Sequence, residues 1–211
     1  MRRTFLLLLV PGLLSCGAVG QGVFVYDQRS STTEPAIIYG GVLAPDDPPG
    51  YGQSFTPSLS AVGFIRMAFR DGRLGNTTGA SMIMNLRSGS ITGPIVGTSL
   101  VVEMPEAFVG TADFLFTPEV SVGQHVTYYF EPRIISGDAW YFDIREDVYN
   151  YSRGTWIAMG RPDVSVDCWF QEGIIIPEPS SLALGLFGLA VLACVKSARA
   201  DGCQTGVERH W

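Results

Sequence analysis

Hydrophobic and polar residues alternate with a period of two along much of residues 23–170. In "SMIMNLR", Met82, Met84 and Leu86 fall on one face, and Ser81, Asn85 and Arg87 on the other. In "FIRMAFR", Ile65, Met67 and Phe69 oppose Arg66 and Arg70. Successive side chains of a strand point to opposite faces, so each run reads as a strand buried on one side. "DFLFTP", with Phe114 and Phe116, and the aromatic, β-branched "VTYYFEPRII" add two more. Turn formers separate the runs: Asp71-Gly72, Gly75-Asn76, Ser88-Gly89, Thr92-Gly93-Pro94 and Ser136-Gly137-Asp138. Short, regularly spaced strands with such turns predict an all-β fold, an antiparallel β-sandwich of two packed sheets. No helical period of useful length precedes Ile174, and no internal repeat is visible.

Both ends of the chain depart from this pattern. "MRRTFLLLLVPGLLSCGAVGQG" has a basic start, an apolar stretch over residues 5–14 and small residues beyond it, the three-part form of a signal peptide. Cleavage after Gly20 gives a signal peptide of residues 1–20. The alternative is lipidation at Cys16, because "LLSC" resembles a lipoprotein box. At the other end, residues 181–195 are apolar and free of charge, with Lys196 and Arg199 just beyond. At ~1.5 Å per residue this run falls a little short of the ~30 Å hydrocarbon core. Adding Ser180 and a snorkelling Lys196 narrows the gap, which predicts one transmembrane helix over about 180–195. The positive residues after it place that side in the cytoplasm and the body outside.

Composition sharpens this picture. The 211-residue chain has a single Lys, and residues 21–176 carry 17 acidic and 9 basic side chains, a net charge of −8. Such a body repels a phosphate backbone, which excludes nucleic acid as a partner. Of the four cysteines only Cys168 belongs to the body, so no internal disulfide or multi-cysteine zinc site is available to it. Cys168 alternates with Val164, Val166 and Phe170, the pattern of a buried, inert thiol.

Between the body and the apolar run stands Pro177-Glu178-Pro179. The tripeptide, Ser-Ser, a short membrane helix and a basic stop together resemble the PEP-CTERM sorting signal, also labelled ice-binding protein C-terminal. The resemblance implies an exported protein handed to exosortase, an integral-membrane transpeptidase, in exopolysaccharide-making Gram-negative-type bacteria. It thereby implies a location on the outer side of the inner membrane, then in the cell envelope or extracellular matrix. The domain order is then signal peptide 1–20, β-sandwich 21–173, sorting signal 174–200 and a polar tail 201–211. No threonine-rich flat repeat supports ice binding. "GYGQSFTPSLSAVGFIRMAFRDG" followed by "NLRSGSITGPIVGTS" resembles jelly-roll modules reminiscent of carbohydrate-binding modules. In them Gln53-Ser54-Phe55 opens a strand and "LRSGSITG" forms a hairpin.

Candidate chemistry is sparse. The body's one histidine, His125, sits in "VGQHVTYY" and reads as a surface-turn residue. No HExxH, CxxC, Walker or GxGxxG pattern occurs, and no nucleophile elbow. Glu131, Asp138, Asp143, Glu146 and Asp147 gather in sequence and are the route to a hydrolase, which needs two carboxylates at a set separation. Asp46, Asp47 and Asp71 are candidate oxygen ligands for a structural calcium, but no loop has EF-hand spacing, and no cofactor is implied. "GDAWYFDIREDVYNYSRGTWIAMG" mixes rings with Asp, Asn and Arg, which suits sugars, whose flat C–H faces stack on aromatics. Trp140, Tyr149, Tyr151, Trp156 and Trp169 are the candidate glycan-binding residues. Trp169 is expected to be partly exposed, sharing a face with Asp167 and Gln171. The combined expectation is an exported, non-catalytic module associated with extracellular polysaccharide. The alternatives are a structural or adhesive matrix protein without a glycan site, and a carbohydrate-active hydrolase.

Overall fold

A computed structural model describes residues 22–35, 40–72, 78–146 and 149–178. The expected signal peptide, transmembrane helix and tail, with Cys16, Cys194, Cys203, Asn76, Asp147 and Pro179, lie outside the described residues. Residues Val23–Ile176 form one compact unit.

Fourteen strands are found among the described residues, and no helix. They are β1 Val23–Arg29, β2 Gly40–Leu43, β3 Gly52–Phe55, β4 Ala61–Asp71, β5 Ala80–Ser88, β6 Ile95–Thr98 and β7 Val102–Met104. The chain continues with β8 Val109–Ser121, β9 Tyr128–Gly137, β10 Trp140–Glu146, β11 Trp156–Ala158, β12 Arg161–Asp163, β13 Val166–Cys168 and β14 Phe170–Ile176. One sheet has the order β1-β14-β4-β10-β13, with β8 beside β4 and β2 beside β10. The other has the order β12-β11-β3-β9-β5-β6, with β7 also on β5. The pairings are antiparallel, and the two sheets stack in a sandwich-like arrangement, as the alternation predicts.

The core is built from the predicted faces. Ile65, Met67 and Phe69 of β4, with Phe114 and Phe116 of β8, meet Met82, Met84 and Leu86 of β5. Phe130 of β9 lies between Phe55 (5.9 Å between ring centres) and Phe170 of the opposite sheet (5.1 Å). With its one thiol buried and unpaired, the body depends on this packing alone.

The sequence reading misses how far the first sheet's outer face is covered. Phe64 packs edge-on against Phe24 (4.8 Å) and Tyr26 (5.5 Å), and the Arg66 guanidinium lies over both rings. Further along the same face Ala68 and Trp169 are buried with Tyr149, with Tyr141 packed against them. The body also ends later than expected. Ile174, Ile175 and Ile176 pair with Val25, Phe24 and Val23, so β14 runs three residues past the expected border at residue 173.

Open strand edges are blunted. β12 carries Pro162 between two exposed charges, and the carbonyl of Leu115 on β8 accepts the Leu100 amide from the β6–β7 linker (2.8 Å). Gly137 (φ 97°) holds the start of the β9–β10 connection, where a Cβ would come within 2.1 Å of the Gly79 carbonyl.

Truncating Phe130 removes the ring that joins the sheets. Phe130→Ala is expected to cost about 3–5 kcal/mol, read as a lowered urea midpoint without a change in slope.

Candidate functional site

The five rings proposed from sequence as a sugar platform are all buried, each 7% exposed or less. Trp140 packs against Phe108 (6.2 Å), and its indole N–H has no partner. Trp156 lies on Phe142 with centroids 4.6 Å apart. Trp169, expected at the surface, is sealed by Tyr149 and donates its indole N–H to the Thr33 carbonyl (2.8 Å). Asp167 and Gln171, which share its side of the strand, are buried as well. The Tyr149 hydroxyl donates to Asp143 (2.5 Å). That of Tyr151 donates to Gln28 Oε1 and accepts the Thr56 amide, each at 3.1 Å. Stacking on a sugar needs a ring face in solvent, and these residues offer none. The aromatic richness of the segment serves the core and the covered outer face instead.

The acidic candidates are equally engaged. Glu131 is buried and takes the Arg87 guanidinium (2.7 and 2.9 Å), Asn85 Nδ2 (3.3 Å) and the Gly50 amide (3.2 Å). Asp143 is buried against Arg145 (3.0 Å) and Tyr149. Glu131 belongs to one sheet and Asp143 to the other, each with its own arginine. Asp138 sits in the β9–β10 connection, and of Glu146 only the backbone is described. The calcium candidates are dispersed: Asp47 accepts the Ala44 amide (2.7 Å) and Asp71 the Ala107 amide (2.9 Å). Among the described residues no three His, Cys, Asp or Glu side chains gather as a metal site. His125 is exposed in a turn with φ 60°, and its Nδ1 stands 3.2 Å from Arg153 Nη2.

Two polar arrangements were not legible in the sequence. The first is a carboxyl pair between β1 and β14. Asp27 sits at a bulge, where its Oδ2 accepts the amides of Ser58 (2.6 Å) and Leu59 (2.9 Å), and its Oδ1 accepts Gln28 Nε2 (2.9 Å). Beside it Glu172 is 0% exposed, on the face shared with Phe170. Neither of its oxygens takes a well-formed hydrogen bond, and only the Gln28 backbone amide favours the charged form, whereas as an acid it donates to Asp27. Burial first, and the Asp27 charge second, push its pKa up from 4.5 to about 9. A parallel network joins the sheets: Gln53 Nε2 donates to Asp167 (2.7 Å), Gln53 Oε1 accepts the Cys168 amide (3.1 Å), and Asp167 accepts the Tyr151 amide (2.8 Å). Burial raises Asp167 despite those two donors, and raises Cys168 well above the usual thiol range, so this thiol is inert as its pattern predicts.

The second arrangement holds the end of β14. Opposite Gly63, β8 carries extra residues, since Val62 pairs with Val120 but Phe64 with Leu115. Glu119 leaves this bulge, passes over Gly63 and accepts the Ile175 amide (3.3 Å). A Cβ at residue 63 would stand 2.8 Å from the Glu119 carboxyl and 3.2 Å from the Ile174 Cα, so only glycine leaves the path open. The chain emerges from this clamp at Ile176 with Pro177 and Glu178 exposed.

A family model described as the PEP-CTERM protein-sorting motif matches residues 176–200. No curated protein and no solved structure matches the chain. The motif marks an exported protein sorted at the membrane of Gram-negative bacteria through exosortase. It begins at the last paired residue of β14.

Folding and proton binding are linked through Glu172. Because the folded state binds this proton more tightly than the unfolded chain, its stabilising contribution is complete below about pH 4.5 and is lost as the pH rises towards 9. Urea unfolding at pH 5 and pH 9 is expected to show a more stable body at pH 5. Glu172→Gln, neutral throughout, should shrink that difference by more than about 1 kcal/mol.

Proposed function

We propose that the chain is an exported envelope or matrix protein whose jelly-roll-like sandwich is a non-catalytic structural module and whose sorting signal is cut by exosortase. The carrying observation is the direct passage of β14 into Pro177-Glu178-Pro179. Pro177 and Pro179 have no amide hydrogen and favour extended geometry, so the tripeptide neither continues the sheet ladder nor enters a following helix. In this reading it is a handle between the folded body, where Pro177 and Glu178 are exposed, and an apolar run that anchors in the membrane. The buried rings and arginine-matched carboxylates favour the structural role over hydrolysis.

Association with extracellular polysaccharide is the second reading, favoured by a different place than the five rings. An open groove of ≈ 710 Å³ lies where β5, β7 and β9 meet, lined by Thr78, Ser81, Glu103 and Ser136 among others. The Ser81 hydroxyl donates to Glu103 there (2.7 Å). Hydroxyls and a carboxylate match sugar hydroxyls, although no ring lies in the groove.

Processing is the decisive test. In a Gram-negative host with exosortase the chain is expected to shorten on gels by roughly the size of its terminal segment, and in a host without it to stay long and membrane-bound. Replacing all three residues Pro177, Glu178 and Pro179 with Ala should abolish the shortening. A wild-type chain that stays full length in both hosts would refute the sorting role. On a glycan array, loss of a signal in Glu103→Ala would support the second reading, and no signal from the wild type would remove it.

A further inference from the structure

The end of the sandwich that carries the sorting motif is chemically unlike the rest of the body. Val23 pairs with Ile176, and the first residue of β4, Ala61, pairs with Ser121 at the end of β8. In the other sheet Phe55 and Ser88 both pair with Tyr128. Arg153 of the β10–β11 connection reaches this end, and three further connections close it: residues 56–60, 89–94 and 122–127. Their sequences, TPSLS, GSITGP and VGQHVT, contain no Asp, Glu, Lys or Arg, in a body with 17 acidic residues. At the opposite end the connections hold Asp46, Asp47, Glu106 and Asp138.

The neutral loops are firmly built. Ser60 O accepts the Val122 amide (2.9 Å), Pro57 O the His125 amide (2.8 Å) and Ser58 O the Gln124 side chain (2.8 Å). Charged side chains near this end are already engaged: Asp27 with the Ser58 and Leu59 amides, Arg153 with Ser58 and His125, and Glu119 with Ile175. Val23, Ile95, Val126 and Ile176 expose apolar side chains there, Val126 at 51%.

Tether length says what this end must face. Pairing persists to Ile176 and is secured by Glu119, so no slack lies upstream of the motif. Residues 177–180 separate Ile176 from the apolar run, and four extended residues reach at most about 14 Å. Polar headgroups occupy about 5–8 Å of that on each side of a bilayer. We infer that, while the C-terminal segment is still attached, this end of the sandwich, with its three neutral loops, rests on the lipid headgroups of the membrane that the segment enters. Neutral loops avoid the repulsion that acidic ones would meet from anionic lipids within a Debye length of about 8 Å. The exposed valines and isoleucines gain an interfacial setting. The inference rests on residues 181–195 acting as the anchor.

The test uses the full chain reconstituted into phosphatidylethanolamine–phosphatidylglycerol vesicles containing a lipid with a nitroxide on its headgroup. Cys16, Cys194 and Cys203 are replaced by Ser, and a fluorophore is placed at Val126→Cys or, at the opposite end, at Asp138→Cys. Quenching at position 126 is expected to exceed that at 138 by about threefold or more, the spread in depth being larger than the quencher's reach. Equal quenching in chains that float with the vesicles would overturn the orientation while leaving the anchor intact. Chains that fail to float would overturn the anchor reading itself, and the orientation with it.

Discussion

The contact of Phe130 with Phe170 across the two sheets is the interaction on which the rest depends. Phe130 belongs to a central strand of one sheet, and Phe170 opens the strand that ends in the sorting motif. Their 5.1 Å approach, with Phe55 on one side and the edge of Tyr151 on the other, locks β14 against the opposite sheet. Burying rings of this size is the largest favourable contribution open to a body that has no disulfide. β14 in turn lies between β1 and β4, so one aromatic layer fixes the strand from which the signal departs.

Next to that layer stands a feature that hydrophobic packing alone would not produce. Glu172 takes a core position two residues after Phe170 and keeps its proton first through its burial and second through the charge of Asp27. The Asp27 carboxylate is itself organised by the amides of the 56–60 connection. A buried acid of this kind ties a strand, a bulge and a loop into one unit, since displacing any of them strands a charge away from water. Stability and the shape of the neutral end are therefore linked through the same few atoms.

Much of the architecture was readable because it follows from period two. Met82, Met84 and Leu86, or Ile65, Met67 and Phe69, need only one buried face, and the structure supplies it. The 86–93 segment does turn between β5 and β6, whereas Gln53–Phe55 ends β3 rather than opening it. What failed was the assumption that the other face is wet. Trp169 does point away from Cys168 and Phe170, yet that outer face is roofed by Tyr149 and by the Thr33 carbonyl, contacts that pair residues distant in sequence. The same long-range covering defeated the glycan reading of Trp140, Tyr149, Tyr151 and Trp156, for a ring's identity does not reveal which side of a sheet is solvated. Glu172 left one local trace, an acid spaced for the apolar face of "FQEGIII". The path of Glu119 over Gly63 left none, because it depends on a bulge in a strand more than fifty residues away.

Gly63 also has a bearing on the processed protein. Because a glycine there lets Glu119 reach across β4, the final strand gains a side-chain tie at Ile175 beyond its pairing with β1. A cut within the tripeptide would leave a stub of one or two residues. An acceptor joined to that stub would start from a paired strand end, its direction set by the sheet. A side chain at that glycine would push the Glu119 carboxyl aside and leave the end of β14 held by its pairing with β1.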